Sequence, residues 1–316
     1  MTNKNNKPSS LRAALGRIKH ECCFHFPLRI LRKMGLLAAR KNDYYSPLPD
    51  REDLVKHQQR WSTASQLVGV RFDLQELKQQ FGYLVKKHLT ECPPYQEHHA
   101  LKDAGFGPGI PWVDAMTLYA MVRHYKPSQV VEVGSGLSTY YASLAAKKNA
   151  TERCETNIHC IEPYPFDKLR TINGIRLTES LLQAVDISLF SALNSGDILF
   201  IDSSHVLKID GDVARIFLEI LPRLAKGVVV HIHDVPFPFN TPYPPEHWVV
   251  QPDWPMYWNE AMVVQAFLCF NEQFRIVQST PLLRFFEPEF LASTIPDYAA
   301  INADPNAFSS LWIERM

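Results

Sequence analysis

Two clusters of aspartate and histidine follow two apolar segments in the second half of the chain. Asp202 and His205 stand after the first segment, and His233 and Asp234 stand at the end of the second. A histidine with an ordinary pKa of about 6.5 can take a proton from a hydroxyl near neutral pH. Two carboxylates and an imidazole can hold one divalent metal ion and leave positions open for a substrate. These residue types therefore indicate proton transfer, metal binding or both.

The apolar segments that precede these clusters are typical of buried parallel strands. They cover residues 198–201 and 228–230, and a helix-length segment separates them. Similar short runs occur earlier, at 130–133, 158–161 and 175–177, with helical patterns between them. Strands that alternate with helices predict an α/β fold with a Rossmann-like, doubly wound and mostly parallel sheet. Ligands of such sheets bind at the carboxyl ends of the strands, so we expect the Asp and His side chains to meet there.

The regions on either side of this sheet have different patterns. Residues 1–110 carry helical segments broken by prolines, which predicts an N-terminal α-helical extension before a main domain at 111–316. Within the extension, residues 11–40 form a basic amphipathic segment. Packing on the main domain is the preferred interpretation, and weak contact with a membrane surface is the alternative. Near the end of the chain, 274–278 and 282–286 predict an antiparallel strand pair at a sheet edge.

The composition argues against a nucleic-acid-binding, a secreted or a membrane-spanning protein. Lys and Arg together number 33, as do Asp and Glu, so no global charge favours nucleic acid as a partner. The six cysteines form no CxxC motif and follow no secretory leader, which predicts reduced thiols in a cytoplasmic protein. No window of 18 uncharged apolar residues occurs, so we expect no transmembrane helix.

A glycine-rich turn lies where the first predicted strand passes into a helix. The turn Gly134–Gly136 allows a ligand to approach the backbone closely. The third glycine of the dinucleotide pattern is replaced by Thr139, which favours a cofactor without a pyrophosphate. Glu162 ends the next strand, where an acidic side chain can accept hydrogen bonds from ribose hydroxyls. Glu132 would be a buried charge, either bound to the amino group of a cofactor or tied to the amides of the loop.

Four motifs in order resemble those of class I S-adenosylmethionine-dependent methyltransferases. Val-Val-Glu-Val-Gly-Ser-Gly-Leu-Ser-Thr at 130–139 resembles their first motif, and Ile-Glu-Pro at 161–163 resembles their second. Asp-Ile-Leu-Phe-Ile-Asp-Ser-Ser-His at 197–205 and His-Ile-His-Asp at 231–234 are similar to one branch. That branch includes metal-dependent O-methyltransferases of small molecules and sugars. The resemblance covers about residues 110–286.

This resemblance implies a class I methyltransferase fold, S-adenosylmethionine as the cofactor and a small-molecule acceptor, with a hydroxyl as the expected group. It implies that His205 is the base that takes the hydroxyl proton and that Asp202, with any bound metal, orients the hydroxyl. The residues that it assigns to the cofactor are Glu132, Gly134, Ser135, Gly136, Ser138, Glu162 and Gln183.

The resemblance also implies a metal site at Asp202, His233 and Asp234, where the similar enzymes hold magnesium with carboxylates. His233 departs from that pattern, because imidazole suits manganese, iron or zinc better than magnesium. Three alternatives stay open: the metal differs, His233 is not a ligand, or no metal binds. Two other functions also stay open, a metal-dependent oxidative enzyme on the same scaffold and a non-catalytic binding protein. The sequence leaves homo-oligomer formation open as well.

Overall fold

The computed structural model describes residues 26–36, 44–107 and 109–316. The chain divides into two compact units, 1–56 and 57–316. The first unit contains helices α1 (Phe26–Lys33) and α2 (Arg51–Lys56). Most of the basic amphipathic segment predicted at 11–40 lies outside the described residues, and so does most of the region of the suggested membrane contact. In the part of the chain that is described, no helix is both long and apolar enough to cross a membrane.

The second unit alternates helices and strands along the chain. Its helices before the sheet are α3 (Gln58–Trp61), α4 (Leu74–His88), α5 (Tyr95–Asp103) and α6 (Trp112–Tyr125). Its parallel strands are β1 (Gln129–Val133), β2 (Asn157–Ile161), β3 (Ile175–Thr178), β4 (Ile198–Ile201) and β5 (Val229–Ile232). Between them lie α7 (Leu137–Thr151), α8 (Ser188–Ser191) and α9 (Asp212–Arg215), which continues through a π-helical turn, Ile216–Ile220, and a 3-10 turn, Leu221–Arg223.

The remaining elements complete the sheet and cover its edge. They are α10 (Pro245–Trp248), α11 (Glu260–Leu268), β6 (Phe274–Ser279), α12 (Thr280–Phe286), α13 (Pro288–Thr294), α14 (Tyr298–Asn302) and β7 (Leu311–Arg315). The seven strands lie in the order β3-β2-β1-β4-β5-β7-β6. Strands β1 to β5 pair in parallel, and β7 pairs antiparallel with both β5 and β6. This arrangement confirms the predicted doubly wound, mostly parallel α/β sheet.

The centre of the sheet is apolar on both faces. Every residue of β4 and β5 is buried, and four of the five residues of β1 are buried. Helices cover both faces of a parallel sheet, so its central strands have no solvated side. This explains why β4, and β5 as far as His231, read as continuous apolar runs in the sequence rather than as alternating ones.

Of the two strands predicted near the end of the chain, the first is confirmed and the second is wrong. Residues Phe274–Ser279 form β6 as expected, but Thr280–Phe286 is a helix. Ser279 accepts a hydrogen bond from an amide in the first turn, and Pro281 occupies that turn. A capping serine followed by proline is a typical helix start, and it outweighed the strand propensity of the apolar residues. The antiparallel partner of β6 is instead β7, in a segment where the sequence carried little pattern.

The boundary between the compact units also differs from the division expected at residue 110. Helix α4 buries Leu77, Phe81 and Leu84, each 1% exposed, in the same core as the sheet. The units divide between Lys56 and His57, because this apolar stripe attaches the later helices of the extension to the sheet. The division into an N-terminal extension, 1–110, and a main domain, 111–316, stays a prediction.

Replacement of Trp312 by alanine should strongly reduce stability. Trp312 is fully buried in β7, and its ring centre lies 4.7 Å from that of His231 in β5. Removal of a buried indole ring leaves a cavity in the core, which lowers the free energy of unfolding by about 3–5 kcal/mol. Urea denaturation measures this change. The control is Trp254→Ala at a side chain that is 75% exposed, where we expect a change within about 0.5 kcal/mol. Equal losses in the two variants would contradict the placement of β7 inside the sheet.

Candidate active site

The strands β1, β4 and β5 end level with one another. Val133 pairs with Ile201, and Ile201 pairs in turn with the last residue of β5. The next residues, Gly134, Asp202 and His233, therefore lie side by side at the carboxyl edge. Backbone hydrogen bonds continue past the strands: the amide of Asp202 donates to Val133 at 2.8 Å, and that of His233 donates to Ile201 at 2.9 Å. The register of the sheet thus brings the glycine turn and the Asp and His residues to one site.

The glycine turn touches the Asp/His edge directly. Gly134 has a φ of +77°, and a Cβ built on it would lie 2.0 Å from the carbonyl oxygen of Asp202. A side chain at this position would require both a strained backbone and a shift of the neighbouring strand end. Gly136 is crowded as well, since a Cβ there would lie 2.8 Å from the carbonyl oxygen of Phe106. Glycine at these positions follows from the close approach of other backbone segments.

Glu132 lies beneath the glycine turn and is 1% exposed. The hydroxyl of Thr139 donates to its carboxylate, and the amide of Gly136 donates to the same hydroxyl at 3.2 Å. Burial raises the pKa of Glu132 to about 7, although the hydroxyls of Ser138 and Thr139 act to lower it. Glu132 therefore ties down the loop through Thr139, which was one of its two expected roles.

Glu162 holds the other side of the turn. Its carboxylate accepts hydrogen bonds from the amides of Ser135, at 3.2 Å, and Tyr164, at 2.9 Å. It follows β2 and is half-buried. Gln183 lies in a 3-10 turn, Leu182–Ala184, where its amide nitrogen donates to the carbonyl of Asp210 at 2.7 Å. The roles of Glu162 with a ribose and of Gln183 with an adenine stay predictions.

His205 is held on both ring nitrogens. Its Nδ1 lies 2.8 Å from Glu260 Oε2, and its Nε2 lies 3.2 Å from Asp202 Oδ1 and 3.6 Å from Asp234 Oδ2. Its ring centre is 4.5 Å from that of Trp258. Burial acts to lower the pKa of His205, but the three carboxylates outweigh it and raise the pKa to about 10. The imidazolium form is therefore stable at neutral pH in this arrangement, unlike a histidine with the ordinary pKa assumed from sequence.

Glu260 is a site residue that lies outside the four sequence motifs. It is 2% exposed in the first turn of α11. Besides His205, it accepts a hydrogen bond from the hydroxyl of Ser203 at 2.9 Å. The amides of Asn259 and Glu260 donate to the carbonyl of His205 at 3.0 and 3.1 Å. The start of α11 thus fixes the loop that carries His205, whose φ is +58°.

The residues predicted to bind metal lie together. Asp202, His233 and Asp234 each offer one ligand atom, and these atoms lie within 4.8 Å of one another. His233 Nδ1 is 3.7 Å from Asp202 Oδ1 and 3.4 Å from Asp234 Oδ1. This nitrogen is buried and has no hydrogen-bond partner among the described residues. Ligand atoms about 2.1 Å from one ion and at right angles around it are roughly 3 Å apart. The residues present therefore fit a divalent cation.

The charges at this edge stabilise one another. Burial acts to lower the pKa of His233, but Asp234 and Asp202 raise it well above its ordinary value. Burial likewise acts to raise the pKa of Asp202, and the neighbouring histidines His233 and His205 hold it below its ordinary value. Each of these charges thus has an opposite one within about 4 Å, which is the range of strong pairing.

Asp114 is a site residue that the sequence did not single out. It lies in the first turn of α6, is fully buried, and has its Oδ2 3.9 Å from His233 Nε2. Its carboxylate accepts hydrogen bonds from the hydroxyls of Thr280, at 2.7 Å, and Ser309, at 3.0 Å. Burial raises the pKa of Asp114, while His233 and these donors oppose the rise. The available signal was an aspartate in a helix that is otherwise apolar on nearly every face, because such a charge is rarely buried without a partner.

His231 belongs to the core rather than to the site. It is fully buried, stacks on Phe200 with ring centres 4.3 Å apart, and has its Nε2 2.8 Å from the hydroxyl of Ser310. Burial lowers the pKa of His231 well below its ordinary value. Its side chain shares a face with His233, as the alternation along a strand predicted.

A cavity of about 460 Å³ opens beside His233 and Asp234. Its volume suits a small molecule with one or two rings. Helix α5 contributes Lys102 and two histidines to its wall. Between β5 and α11, Trp254 is largely exposed, whereas Tyr243, Trp248 and Trp258 line the cavity. The aromatic residues of the cavity wall are Tyr95, Trp112, Tyr243, Trp248, Trp258 and Phe308.

The substitution Glu260→Gln should lower the pKa of His205 from about 10 toward its ordinary range near 6.5. It removes a negative charge 2.8 Å from Nδ1, so the imidazolium loses a stabilising partner. NMR titration of the His205 ring, assigned with a His205→Gln variant, measures the change. Glu155→Gln, at an exposed site, is the control and should leave the titration unaltered. An unchanged pKa in Glu260→Gln would refute the pairing.

Known proteins resemble parts of this chain. Residues 131–235 match the profile of a protein family described as Methyltransferase domain. A curated but uncharacterized protein of Archaeoglobus fulgidus is 28% identical over 162 residues, which are 48% of this chain and 71% of that protein.

Among solved structures, the chain is similar to the O-methyltransferase TomG from Streptomyces achromogenes in complex with SAM. The two are 11% identical with a TM-score of 0.41, over 78% of this chain and 91% of TomG. The SAH-bound methyltransferase PaMTH1 of Podospora anserina is 12% identical with a TM-score of 0.33, over 89% of this chain and all of PaMTH1.

The family match runs from β1 to the residue after Asp234 and so contains the glycine turn and the Asp/His edge. Together with the strand order, this match supports a methyltransferase domain on an α/β, Rossmann-like sheet in this segment of the chain.

Proposed function

We propose that the protein transfers a methyl group from S-adenosylmethionine to a hydroxyl group of a small molecule. The contact between Gly134 and the carbonyl of Asp202 carries this proposal. A donor on the glycine turn would lie beside His205 and the cavity that opens at Asp234. Displacement at a sulfonium needs mainly correct positioning of donor and acceptor, and this closeness supplies it.

The donor would occupy the edge formed by β1 and β2. By the resemblance of the motifs, Gly134 and Gly136 would line the methionine and ribose part of the donor. Glu162 follows β2 with a half-buried carboxylate, a suitable acceptor for two ribose hydroxyls. Ser135, Ser138 and Glu132 would line the methionine part, and Gln183 would lie toward the adenine, by the resemblance of the motifs.

The acceptor would bind in the cavity with its hydroxyl toward His205. The hydroxyl oxygen attacks the methyl carbon, the carbon–sulfur bond breaks, and its electron pair stays on the sulfur of the departing S-adenosylhomocysteine. The hydroxyl proton passes to Nε2 of His205 in its neutral form, which a cation held by Asp202 and Asp234 would favour because it offsets the charge that raises the pKa of His205. Glu260 supports this role because it holds Nδ1 and so keeps Nε2 directed toward Asp202 and Asp234.

Asp202, His233 and Asp234 would hold a divalent metal ion at this edge. When bound, such an ion supplies positive charge that lowers the pKa of a nearby hydroxyl and of His205. The aromatic wall of the cavity is suited to a ring, either a sugar or an aromatic compound, because ring faces stack on it.

Calorimetry with S-adenosylhomocysteine tests the donor site. We expect binding by the full chain, and weaker binding by about 10- to 100-fold in Glu162→Gln, because a hydrogen bond to a charged group contributes about 1.5–3 kcal/mol. Glu155 lies before β2, at the amino ends of the strands. Glu155→Gln should therefore bind S-adenosylhomocysteine as tightly as the unsubstituted protein does. If the natural sequence does not bind S-adenosylhomocysteine, the methyltransferase proposal is contradicted and a non-catalytic binding protein is favoured.

Activity is tested with S-adenosylmethionine and a panel of sugars and phenols, with mass spectrometry of the products. His205→Gln should reduce turnover by about 100-fold or more, since a positioned base contributes that much, while donor binding stays intact. His124→Gln, at an exposed position of α6, is the matched control. Equal turnover in the two variants would exclude His205 as the base. Oxygen consumption with iron and no methylated product would support the oxidative alternative.

A further inference from the structure

A buried relay connects Asp114 to the candidate metal site through Ser309 and His233. The hydroxyl of Ser309 lies 3.0 Å from Asp114 Oδ2 and 3.3 Å from His233 Nε2. All three residues are at most 6% exposed. We propose that Asp114 and Ser309 are positioning residues that fix His233 as a metal ligand, and that they make the site selective for a transition metal ion over magnesium. This inference rests on the metal site of the proposed function.

The relay begins at a carboxylate that is surrounded by donors. Asp114 Oδ1 accepts from the hydroxyl of Thr280 at 2.7 Å and from the amide of Ser310 at 3.3 Å. Its Oδ2 accepts from the amide of Ser309 at 2.9 Å and from the hydroxyl of the same residue. An ionised carboxylate only accepts hydrogen bonds, so the hydroxyl proton of Ser309 must point toward Asp114.

The orientation of that proton determines which nitrogen of His233 carries hydrogen. Because Ser309 donates to Asp114, its oxygen can only accept from the imidazole. His233 Nε2 must therefore donate, and in the neutral ring the lone pair is then on Nδ1. Nδ1 faces Asp202 and Asp234 and has no hydrogen-bond partner among the described residues. The relay thus presents a free lone pair to the place where the two carboxylates meet.

Histidines that bind metals commonly donate their other ring hydrogen to a carboxylate or another acceptor, which fixes the ring and strengthens it as a ligand. The relay from Asp114 supplies that support for His233. A set of two carboxylates and one imidazole is suited to manganese, iron, cobalt or zinc, whereas magnesium prefers oxygen ligands alone. The histidine that departs from the pattern of similar enzymes therefore acts as a selectivity determinant.

The first experiment needs no variant. Equilibrium dialysis of the full chain with Mg²⁺, Mn²⁺, Co²⁺ or Zn²⁺ alone measures each dissociation constant. We expect Co²⁺ and Zn²⁺ to bind at least about 100-fold more tightly than Mg²⁺. In the Zn²⁺ complex, NMR of the imidazole nitrogens should show hydrogen on Nε2 of His233 and the metal on Nδ1. Equal affinity for Mg²⁺ and Co²⁺, or no metal binding, would overturn the proposal.

Variants then separate positioning from general stability. Asp114→Asn and Ser309→Ala should weaken Co²⁺ binding about 10- to 100-fold, and Ser309→Thr, which keeps the hydroxyl, should restore it. Asp197→Asn is the matched control, because Asp197 is 2% exposed and accepts three hydrogen bonds from backbone amides and a serine hydroxyl at the opposite end of β4. Equal loss of Co²⁺ affinity in Asp114→Asn and Asp197→Asn would contradict the relay.

A variant of the ligand itself keeps the test decisive if Asp114→Asn does not fold. His233→Asp replaces the imidazole by a carboxylate and should shift the preference toward Mg²⁺, lowering the Co²⁺ to Mg²⁺ affinity ratio by about 10-fold or more. An unchanged ratio would exclude His233 as a ligand. Metal selectivity as predicted without methyl transfer would refute only the proposed function, whereas methyl transfer by a chain that binds no metal would refute only this inference.

Discussion

The contact between Gly134 and the carbonyl of Asp202 sets the geometry of the whole site. It arises because β1 and β4 end in register, so the turn that leaves one strand must pass the end of the other. The turn takes a positive φ, which glycine adopts without strain. In the proposed function, the same closeness would bring a donor on the turn next to His205. A single packing constraint in the sheet thus joins a binding loop to a set of ionisable side chains.

The charges of those side chains stabilise one another because carboxylates and histidines alternate across the site. Asp202 and Asp234 face two histidines, and each histidine has a further buried carboxylate behind it, Glu260 or Asp114. A buried charge without a partner would cost several kcal/mol, roughly the stability of many domains. Removal of one member therefore affects the others, and single substitutions here will not be additive.

The sequence was sufficient to predict those features that follow from a local residue pattern or from the order of the strands. The runs that became β1, β4 and β5 were apolar enough to identify, and the rule that ligands bind at carboxyl ends brought together Asp202, His205, His233 and Asp234. It was insufficient where a residue acts through distant contacts. Asp114 meets Ser309 across nearly two hundred residues, and no local pattern reports that pairing. The strand β7 was missed because it gains its order from β5 and β6 on its two sides, and both are distant from it in the sequence.

The position of β7 also has a consequence for how the chain folds during synthesis. This strand lies between β5 and β6, yet it follows both in the sequence. Until it is made, the outer edge of β5 has no antiparallel neighbour, and an exposed strand edge is prone to pair with other chains. Ser309 and Ser310 immediately precede β7, so the support of both buried histidines of β5 arrives in the same late step. During synthesis, β5 and the candidate metal ligand His233 therefore have none of this support until residues 309–315 have been made.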